Sequence, residues 1–160
     1  MLENIPTSKI EMLNNFLNSN NSTATLHTFD APVHSVEQAS QLLESSPDKF
    51  IKTICLESKE GDFVSVIVLG SSRVDTTKVQ EFLNLPKLKP ASKESIALRT
   101  GFEVGGIPLA GYESIFVIDN LVILQDEVFG GGGDDRTLLK ITPSELLRLN
   151  EGKVIDCSKI

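Results

Sequence analysis

The chain has 160 residues, a net charge of −7 at neutral pH and two cysteines, Cys55 and Cys157. This length predicts a single domain over residues 1–160 that needs no metal or disulfide, and the excess of acidic residues argues against broad binding along nucleic acid while leaving contact with one nucleic-acid end open. Two distant cysteines, and no apolar run of membrane-spanning length, predict a reduced, soluble, cytoplasmic protein with no membrane and no DNA partner.

Side chains that cap helices predict five helix starts. At the first, second and fifth starts, a serine or threonine is followed three residues later by glutamate or glutamine and then by apolar residues at helical spacing. The five predicted helices begin at Ser8, Ser35, Asp75, Ser92 and Thr142. The first is expected to span about residues 8–19, and the third and fourth are expected to end near Leu83 and Arg99.

Apolar runs between these helices predict six strands. They are Thr25 to Phe29, Phe50 to Glu57, Phe63 to Leu69, Ser114 to Ile118, Leu121 to Leu124 and Leu138 to Ile141. Residues 58–62 are expected to join the second and third strands as a hairpin, and Asp119-Asn120 the fourth and fifth. Because strand and helix do not alternate regularly, we predict an α+β fold with a largely antiparallel, barrel-like mixed sheet and outer helices.

One lysine interrupts an apolar strand. Lys52 shares its strand phase with Phe50, Ile54 and Leu56, whereas its neighbour Thr53 points the other way. The long aliphatic stem of a lysine can carry the ammonium out to solvent, so a purely structural interpretation stands beside a functional one. The glycine clusters described next favour the functional interpretation, because they offer a site that the lysine could face.

Eight of the eleven glycines fall between residues 101 and 133, in two clusters. The first contains Gly105, Gly106, Ile107 and Pro108 but has neither a Walker lysine nor GxGxxG spacing. It is either a surface turn or a set of backbone amides preset to bind an anion or a carbonyl oxygen. The second cluster, residues 130–133, is either a flexible hairpin end or a thin wall against which a substrate lies.

Other catalytic arrangements are weaker. His27 and His34 have no cysteine or carboxylate at ligand spacing, so we expect no metal and no cofactor. Asp134 and Asp135 precede Arg136, which is more typical of a solvated turn than of an acid/base pair. Neither cysteine lies in an electropositive setting, which argues against a thiol nucleophile.

Taken in order, five features resemble the YbaK and prolyl-tRNA synthetase editing-domain family over about residues 25–150. These features are Lys52-Thr53 on a strand, Asp75 opening a helix after Gly70, Gly105 to Pro108 with Gly111, a hydrophobic hairpin ending at Asp119, and Gly131 to Asp134. The resemblance implies a mixed sheet curled into a barrel-like core with outer helices. It also implies hydrolysis of the ester that joins a wrong amino acid to the 3′ end of tRNA.

The resemblance carries site roles onto this chain. It implies a freestanding aminoacyl-tRNA deacylase whose partners are the aminoacylated tRNA 3′ end and, as an open alternative, an aminoacyl-tRNA synthetase. The implied catalytic residues are Lys52, Gly105 and Gly106. The implied substrate-binding residues are Thr53, Ile107, Pro108, Gly131, Gly132, Gly133 and Asp134.

The rejected amino acid stays open at this stage. Leu109-Ala110 replaces the Pro-Phe of many family members, which changes the glycine loop. A threonine after the lysine, here Thr53, resembles family members that remove cysteine from the tRNA for proline, although another small amino acid is equally open as the substrate. A non-catalytic module of the same fold, which binds a tRNA end or a synthetase, is the alternative function.

Overall fold

The computed structural model describes residues 8–33 and 35–159. The helices are α1 (Lys9–Ser19), α2 (Val36–Leu42), α3 (Thr76–Leu83), α4 (Lys93–Thr100), α5 (Asn120–Ile123) and α6 (Pro143–Asn150). The strands are β1 (Thr25–Thr28), β2 (Ile51–Glu57), β3 (Phe63–Leu69), β4 (Arg73–Val74), β5 (Lys89–Pro90), β6 (Ile115–Asp119), β7 (Val128–Gly131), β8 (Thr137–Ile141), β9 (Lys153–Ile155) and β10 (Ser158–Lys159). A short 3₁₀ helix, Pro47–Lys49, precedes β2.

The strands form a mixed, largely antiparallel arrangement, which confirms the predicted fold class. A five-stranded sheet has the order β5-β2-β3-β6-β9, a three-stranded sheet the order β1-β8-β7, and β10 pairs with β4. Only β3 with β6 and β6 with β9 run parallel among the strand pairs of the described residues. The predicted hairpin joins β2 to β3 in the expected antiparallel register.

The sheets are not closed into a barrel, so that part of the prediction is wrong. One isolated parallel bridge, between Phe50 and Phe129, links the five-stranded sheet to the three-stranded sheet. Further along β7, the N–H of Leu109 donates to the carbonyl of Gly131 at 3.2 Å. At this point the edge of β7 therefore pairs with the loop that contains Leu109 and not with another strand, as it would in a closed barrel.

The predicted helix starts are confirmed by capping hydrogen bonds. At each start the capping side chain accepts a hydrogen bond from the backbone N–H three residues later. The pairs are Ser8 with Glu11, Ser35 with Gln38, Asp75 with Lys78, Ser92 with Ser95 and Thr142 with Glu145.

The segment after β6 is a helix rather than the predicted strand. Residues 121–124 do not form a hairpin with β6, because the fully buried carboxylate of Asp119 accepts hydrogen bonds from Leu121, Cys157 and Ser158 at 3.2, 2.9 and 3.0 Å. This carboxylate caps α5 and fixes the entry into β10, so the chain turns away from the sheet.

The largest hydrophobic cluster joins α1 to the sheets around the first glycine cluster. Leu13 and Leu17 of α1, Leu109 of the loop before β6 and Leu139 of β8 all belong to it. Within the described ranges, no helix is long and apolar enough to cross a membrane.

A buried carboxylate ties α6 to the connection between α1 and β1. Glu145 accepts hydrogen bonds from Arg148 Nε at 2.6 Å and from the N–H of Thr23 at 3.1 Å. Arg148 also donates to the carbonyl of Asn20 at 2.9 Å. The hydrogen bond from Arg148 contributes most to lowering the pKa of Glu145 from 4.5 to about 2.

We expect Glu145→Gln to destabilise the fold by about 1.5 to 3 kcal/mol at neutral pH, because it removes hydrogen bonds to a charged acceptor. A carboxyl with a lowered pKa stabilises the native state fully above its ordinary pKa of 4.5, and this stabilisation is lost as the pH falls toward about 2. Denaturant unfolding between pH 7 and pH 2 should therefore show less pH dependence in the variant. Glu94→Gln, in the first turn of α4, is the control and should behave as wild type. An unchanged pH dependence in Glu145→Gln would contradict this account.

Candidate active site in a glycine-lined cleft

The two glycine clusters are in direct backbone contact. A Cβ built on Gly131 would lie 1.9 Å from the carbonyl oxygen of Ile107, and one on Gly106 would lie 2.7 Å from the Cα of Asp134. Such distances leave no room for a side chain at either position. Glycine is therefore required here because one stretch of main chain lies on another. The first half of the second cluster, Gly130 and Gly131, is strand rather than a flexible hairpin end.

A cleft of about 410 Å³ opens beside this contact. Its lining residues are Lys9, Glu103, Val104, Gly105, Gly106, Gly133, Asp134 and Asp135. Four of the residues predicted for the site thus meet at one surface: Gly105, Gly106, Gly133 and Asp134. Ile107 and Pro108 lie behind it against Gly131, and Gly132 packs against the carbonyl of Thr137.

The two predicted catalytic glycines differ in the state of their amides. The N–H of Gly106 donates to the carbonyl of Glu103 at 3.0 Å, which closes a turn. No acceptor within the described residues takes the N–H of Gly105, whose φ is +98°. A Cβ at Gly105 would meet nothing within 4 Å, so the space beside this residue is open. Of the two amides, only that of Gly105 is free to polarise a bound carbonyl.

Lys52 lies on β2 next to the second glycine cluster, but it does not line the cleft. The parallel bridge of Phe50 with Phe129 aligns β2 and β7, so Lys52 and Gly131 lie at the same level of neighbouring strands. Since alternate residues of a strand share a side, Lys52 points to the side on which the rings of Phe50 and Phe129 stack. Its side chain is half-buried, and no described residue forms a hydrogen bond or ion pair with it.

Thr53 points to the opposite side of β2. Its neighbours on that side, Ile51 and Cys55, pack in clusters that also contain Leu109 and Ile107 of the glycine loop. The hydroxyl of Thr53 is buried and is the one side-chain polar atom of this kind without a hydrogen-bond partner in the part of the chain described. Such a group costs free energy unless a ligand or water satisfies it.

The segment after the second glycine cluster is an ordered turn. Asp134 accepts a hydrogen bond from the N–H of Arg136 at 2.9 Å, and Arg136 donates to the carbonyl of Asp30 at 2.7 Å. Asp134 and Asp135 face the cleft, and their carboxylates form no ion pair with Arg136. The arginine fixes the turn, while the two acids give the cleft negative charge.

The remaining candidate groups do not form a site in the described residues. His27 contacts only the hydroxyl of Thr25, at 3.1 Å, and His34 lies outside the described residues. In the ranges 8–33 and 35–159, no three His, Cys, Asp or Glu side chains are placed to hold a metal. Both cysteines are buried and unpaired, and burial raises the pKa of Cys55 to about 11 and that of Cys157 to about 12. Their thiols are protonated at neutral pH and unsuited to nucleophilic attack.

A larger cleft, of about 740 Å³, lies between the β2–β3 turn, residues 111–116 and the end of α6. Phe63, Arg99, Tyr112 and Asn150 are among its lining residues. None of the residues predicted for the site lines it. Tyr112 donates to Ser65 at 2.9 Å, and burial raises the pKa of the Tyr112 hydroxyl. Arg99 donates to the carbonyl of Gly61 at 3.1 Å and Asn150 to the carbonyl of Leu109 at 2.8 Å, so these side chains already have partners in the protein.

No local feature of the sequence indicates that Lys9 is a cleft residue. It lies on α1, and its ammonium donates to the carbonyl of Gly101, 92 residues further along the chain. Only the packing of α1 against the glycine clusters brings it to the cleft.

Comparison with known proteins identifies the fold family. Residues 30–149 match the model of the aminoacyl-tRNA editing domain. The chain belongs to the aminoacyl-tRNA editing domain family. The resemblance found from the sequence is thereby confirmed.

Curated relatives are proline–tRNA ligases. The enzyme of Moorella thermoacetica is 27% identical over 127 residues, which are 78% of this chain and 22% of the ligase. That of Thermotoga maritima is 30% identical over 104 residues, which are 64% of this chain and 18% of the ligase. The chain thus spans only about a fifth of the length of the curated relatives it matches.

Solved structures share the fold over nearly the whole chain. The crystal structure of a hypothetical protein superposes with a TM-score of 0.84 at 25% identity and covers 92% of this chain and 99% of its own. A proposed trans-editing enzyme for prolyl-tRNA synthetase superposes with a TM-score of 0.87 at 23% identity and covers 98% of this chain and 100% of its own. The predicted fold is confirmed by these neighbours.

We expect Gly131→Ala to lower the free energy of unfolding by about 3 kcal/mol or more, because its methyl group would overlap the Ile107 carbonyl. Gly61→Ala is the matched control: it has a φ of +97° and nothing within 4 Å of its added methyl group. That variant should lose only about 1 to 2 kcal/mol through backbone strain. Urea unfolding measures both, and a loss in Gly131→Ala no larger than in Gly61→Ala would show that the backbone contact is not tight.

Proposed function

We propose that the protein is a freestanding hydrolase that removes a wrongly attached amino acid from tRNA, acting in trans and in the cytoplasm. The observation that carries the proposal is the cleft formed by bare main chain in an aminoacyl-tRNA editing domain. Its fold superposes over the full length of a protein described as a proposed trans-editing enzyme for prolyl-tRNA synthetase. That likeness supports an editing domain that works without an attached synthetase, either alone or with a synthetase as partner.

The chemistry suits a site without a strong side-chain base. An aminoacyl ester is already activated, so attack by water needs alignment and stabilisation of the developing oxyanion. We assign oxyanion stabilisation to the free N–H of Gly105. Water adds to the acyl carbon, the bond to the ribose oxygen breaks, and that oxygen takes the proton, which leaves free amino acid and uncharged tRNA. A hydroxyl group of the substrate activates the water, because the α-amino group is protonated and cannot accept a proton.

Gly106 has a different role in this proposal. Its N–H closes the turn with Glu103, and its missing side chain lets the loop lie against Asp134. This contact holds Gly105 at a φ of +98°, and its N–H has no acceptor among the described residues. Ile107, Pro108, Gly131, Gly132 and Gly133 form the wall behind the acyl group.

The charges of the cleft fit an aminoacyl group. The acidic residues Glu103, Asp134 and Asp135 line it, and an aminoacyl ester carries a positively charged α-amino group at neutral pH. We propose that Asp134 binds this ammonium with the oxygen that the turn leaves free. Lys52 forms no hydrogen bond or ion pair with any described residue, and we propose that it binds the terminal ribose or phosphate of the tRNA.

Thr53 is proposed to contact the amino-acid side chain. Its buried hydroxyl lacks a partner, so a polar group of the substrate would satisfy it. This favours cysteine or another small amino acid, on the tRNA for proline. Size alone discriminates such residues poorly, since one methylene is worth about 1 to 3 kcal/mol.

The test is to incubate the protein with tRNAs mischarged with small amino acids and to follow loss of the labelled amino acid. We expect hydrolysis of at least one of them, and we expect Lys52→Ala to lower its kcat/KM about tenfold or more, because a charged hydrogen bond to the tRNA is lost. Lys153→Ala, on β9, removes an exposed lysine far from the cleft and should retain wild-type activity. Full activity in Lys52→Ala would remove that residue from the site, and tRNA binding without hydrolysis of any substrate would favour a non-catalytic module.

A further inference from the structure

Helix α1 lies outside the matched editing-domain region, residues 30–149, yet it packs on both glycine clusters. A Cβ built on Gly111 would lie 3.0 Å from the side chain of Leu13, and one on Gly133 would lie 3.2 Å from that of Ile10. Leu13 is 1% exposed, so the helix is anchored in the core at this point. α1 is therefore part of the structure that shapes the cleft.

The first residue of α1 brings a cation to the cleft. The ammonium of Lys9 donates to the carbonyl of Gly101 and lies 5.7 Å from the centre of the Phe102 ring. An ammonium has three N–H donors, and the Gly101 carbonyl uses one of them. The side chain is thus held in place with donors left for a ligand.

Lys9 is also the one basic residue that lines the cleft in the described ranges. The other charged residues there are the acids Glu103, Asp134 and Asp135. Without Lys9, this surface would carry only negative charge and would repel the phosphates of a nucleic-acid end. The ammonium provides a local positive charge on a protein whose net charge is −7.

We propose that Lys9 binds the phosphodiester of the 3′-terminal nucleotide of tRNA, an inference that rests on the proposed function. In the complex with aminoacylated tRNA, the acidic residues of the cleft face the α-amino group, Lys9 binds the phosphate, and Lys52 binds the ribose. The Gly101 carbonyl and the Phe102 ring hold the ammonium of Lys9 in position, so little side-chain entropy is lost on binding. Helix α1 thereby adds a binding residue to the editing domain.

The test compares Lys9→Gln, Lys9→Arg and wild type on two substrates: a mischarged tRNA that the wild type hydrolyses, and the same amino acid esterified to adenosine, which has no phosphate. On tRNA, Lys9→Gln should lower kcat/KM about tenfold, mainly through KM, and should reduce the slope of log kcat/KM against log salt by about one. Lys9→Arg should retain most of the activity. On the adenosine ester, all three proteins should be equal.

Lys78→Gln, an exposed lysine on α3, is the control for the change in net charge and should match wild type on tRNA. An equal loss in Lys9→Gln on both substrates would overturn the phosphate contact, because the lysine would then act only by holding the loop. Wild-type kinetics and salt slope in Lys9→Gln on tRNA would overturn it as well.

Binding of uncharged tRNA, measured in parallel, separates this proposal from the proposed function. If the wild type hydrolyses no ester but Lys9→Gln weakens tRNA binding with a reduced salt slope, the hydrolase proposal fails and the phosphate contact stands. If the wild type hydrolyses the ester and neither binding nor kinetics depend on Lys9, the function stands and the contact fails.

Discussion

The contact between the carbonyl of Ile107 and the bare Cα of Gly131 determines how the rest of the site is arranged. It brings the loop before β6 onto the edge of β7, where Leu109 and Gly131 share a hydrogen bond. The same close packing of the two segments brings the main chain of Gly106 against that of Asp134. It leaves the amide of Gly105 without a hydrogen-bond partner among the described residues, beside open space. A side chain at Gly106 or Gly131 would separate the two segments, so the requirement for glycine is steric.

The charge distribution of the protein is compatible with the proposed function. A net charge of −7 disfavours contacts along a duplex, where many phosphates must be neutralised. In the proposed function, the cleft receives only the aminoacylated end of tRNA, which carries a single ammonium and few phosphates. Three acidic residues and Lys9 line this surface, and in the proposed function the two signs of charge face the ammonium and the phosphate of that end. Recognition in this account is local, and it places no demand on the remaining surface.

The sequence predicted those features that depend on neighbouring residues. Helix starts such as Thr142 follow from a side chain and an amide three residues apart, and the β2–β3 hairpin follows from two apolar runs around a turn. The prediction of a strand after Asp119 is wrong because the carboxylate of Asp119 accepts hydrogen bonds from the amides of Cys157 and Ser158, which are distant in sequence.

Parts of the site also depend on contacts between residues distant in sequence and could not be predicted. The sequence indicated both glycine clusters but could not show that one lies on the other, since this depends on tertiary packing. Strand propensity argues against glycine, so β7 is not among the strands that the sequence predicts. Lys9 had no local signal, because its partner is Gly101 on a distant segment.

The most direct test is an amide NMR titration with an adenosine that carries a small amino acid through a non-hydrolysable 3′-amide. If the two glycine clusters form the binding surface, the largest shifts will fall on the amides of Gly105, Gly133 and Asp134, and the amides of Tyr112 and Asn150 in the larger cleft will stay unchanged. Shifts concentrated at Tyr112 and Asn150, with Gly105 unaffected, would contradict the account.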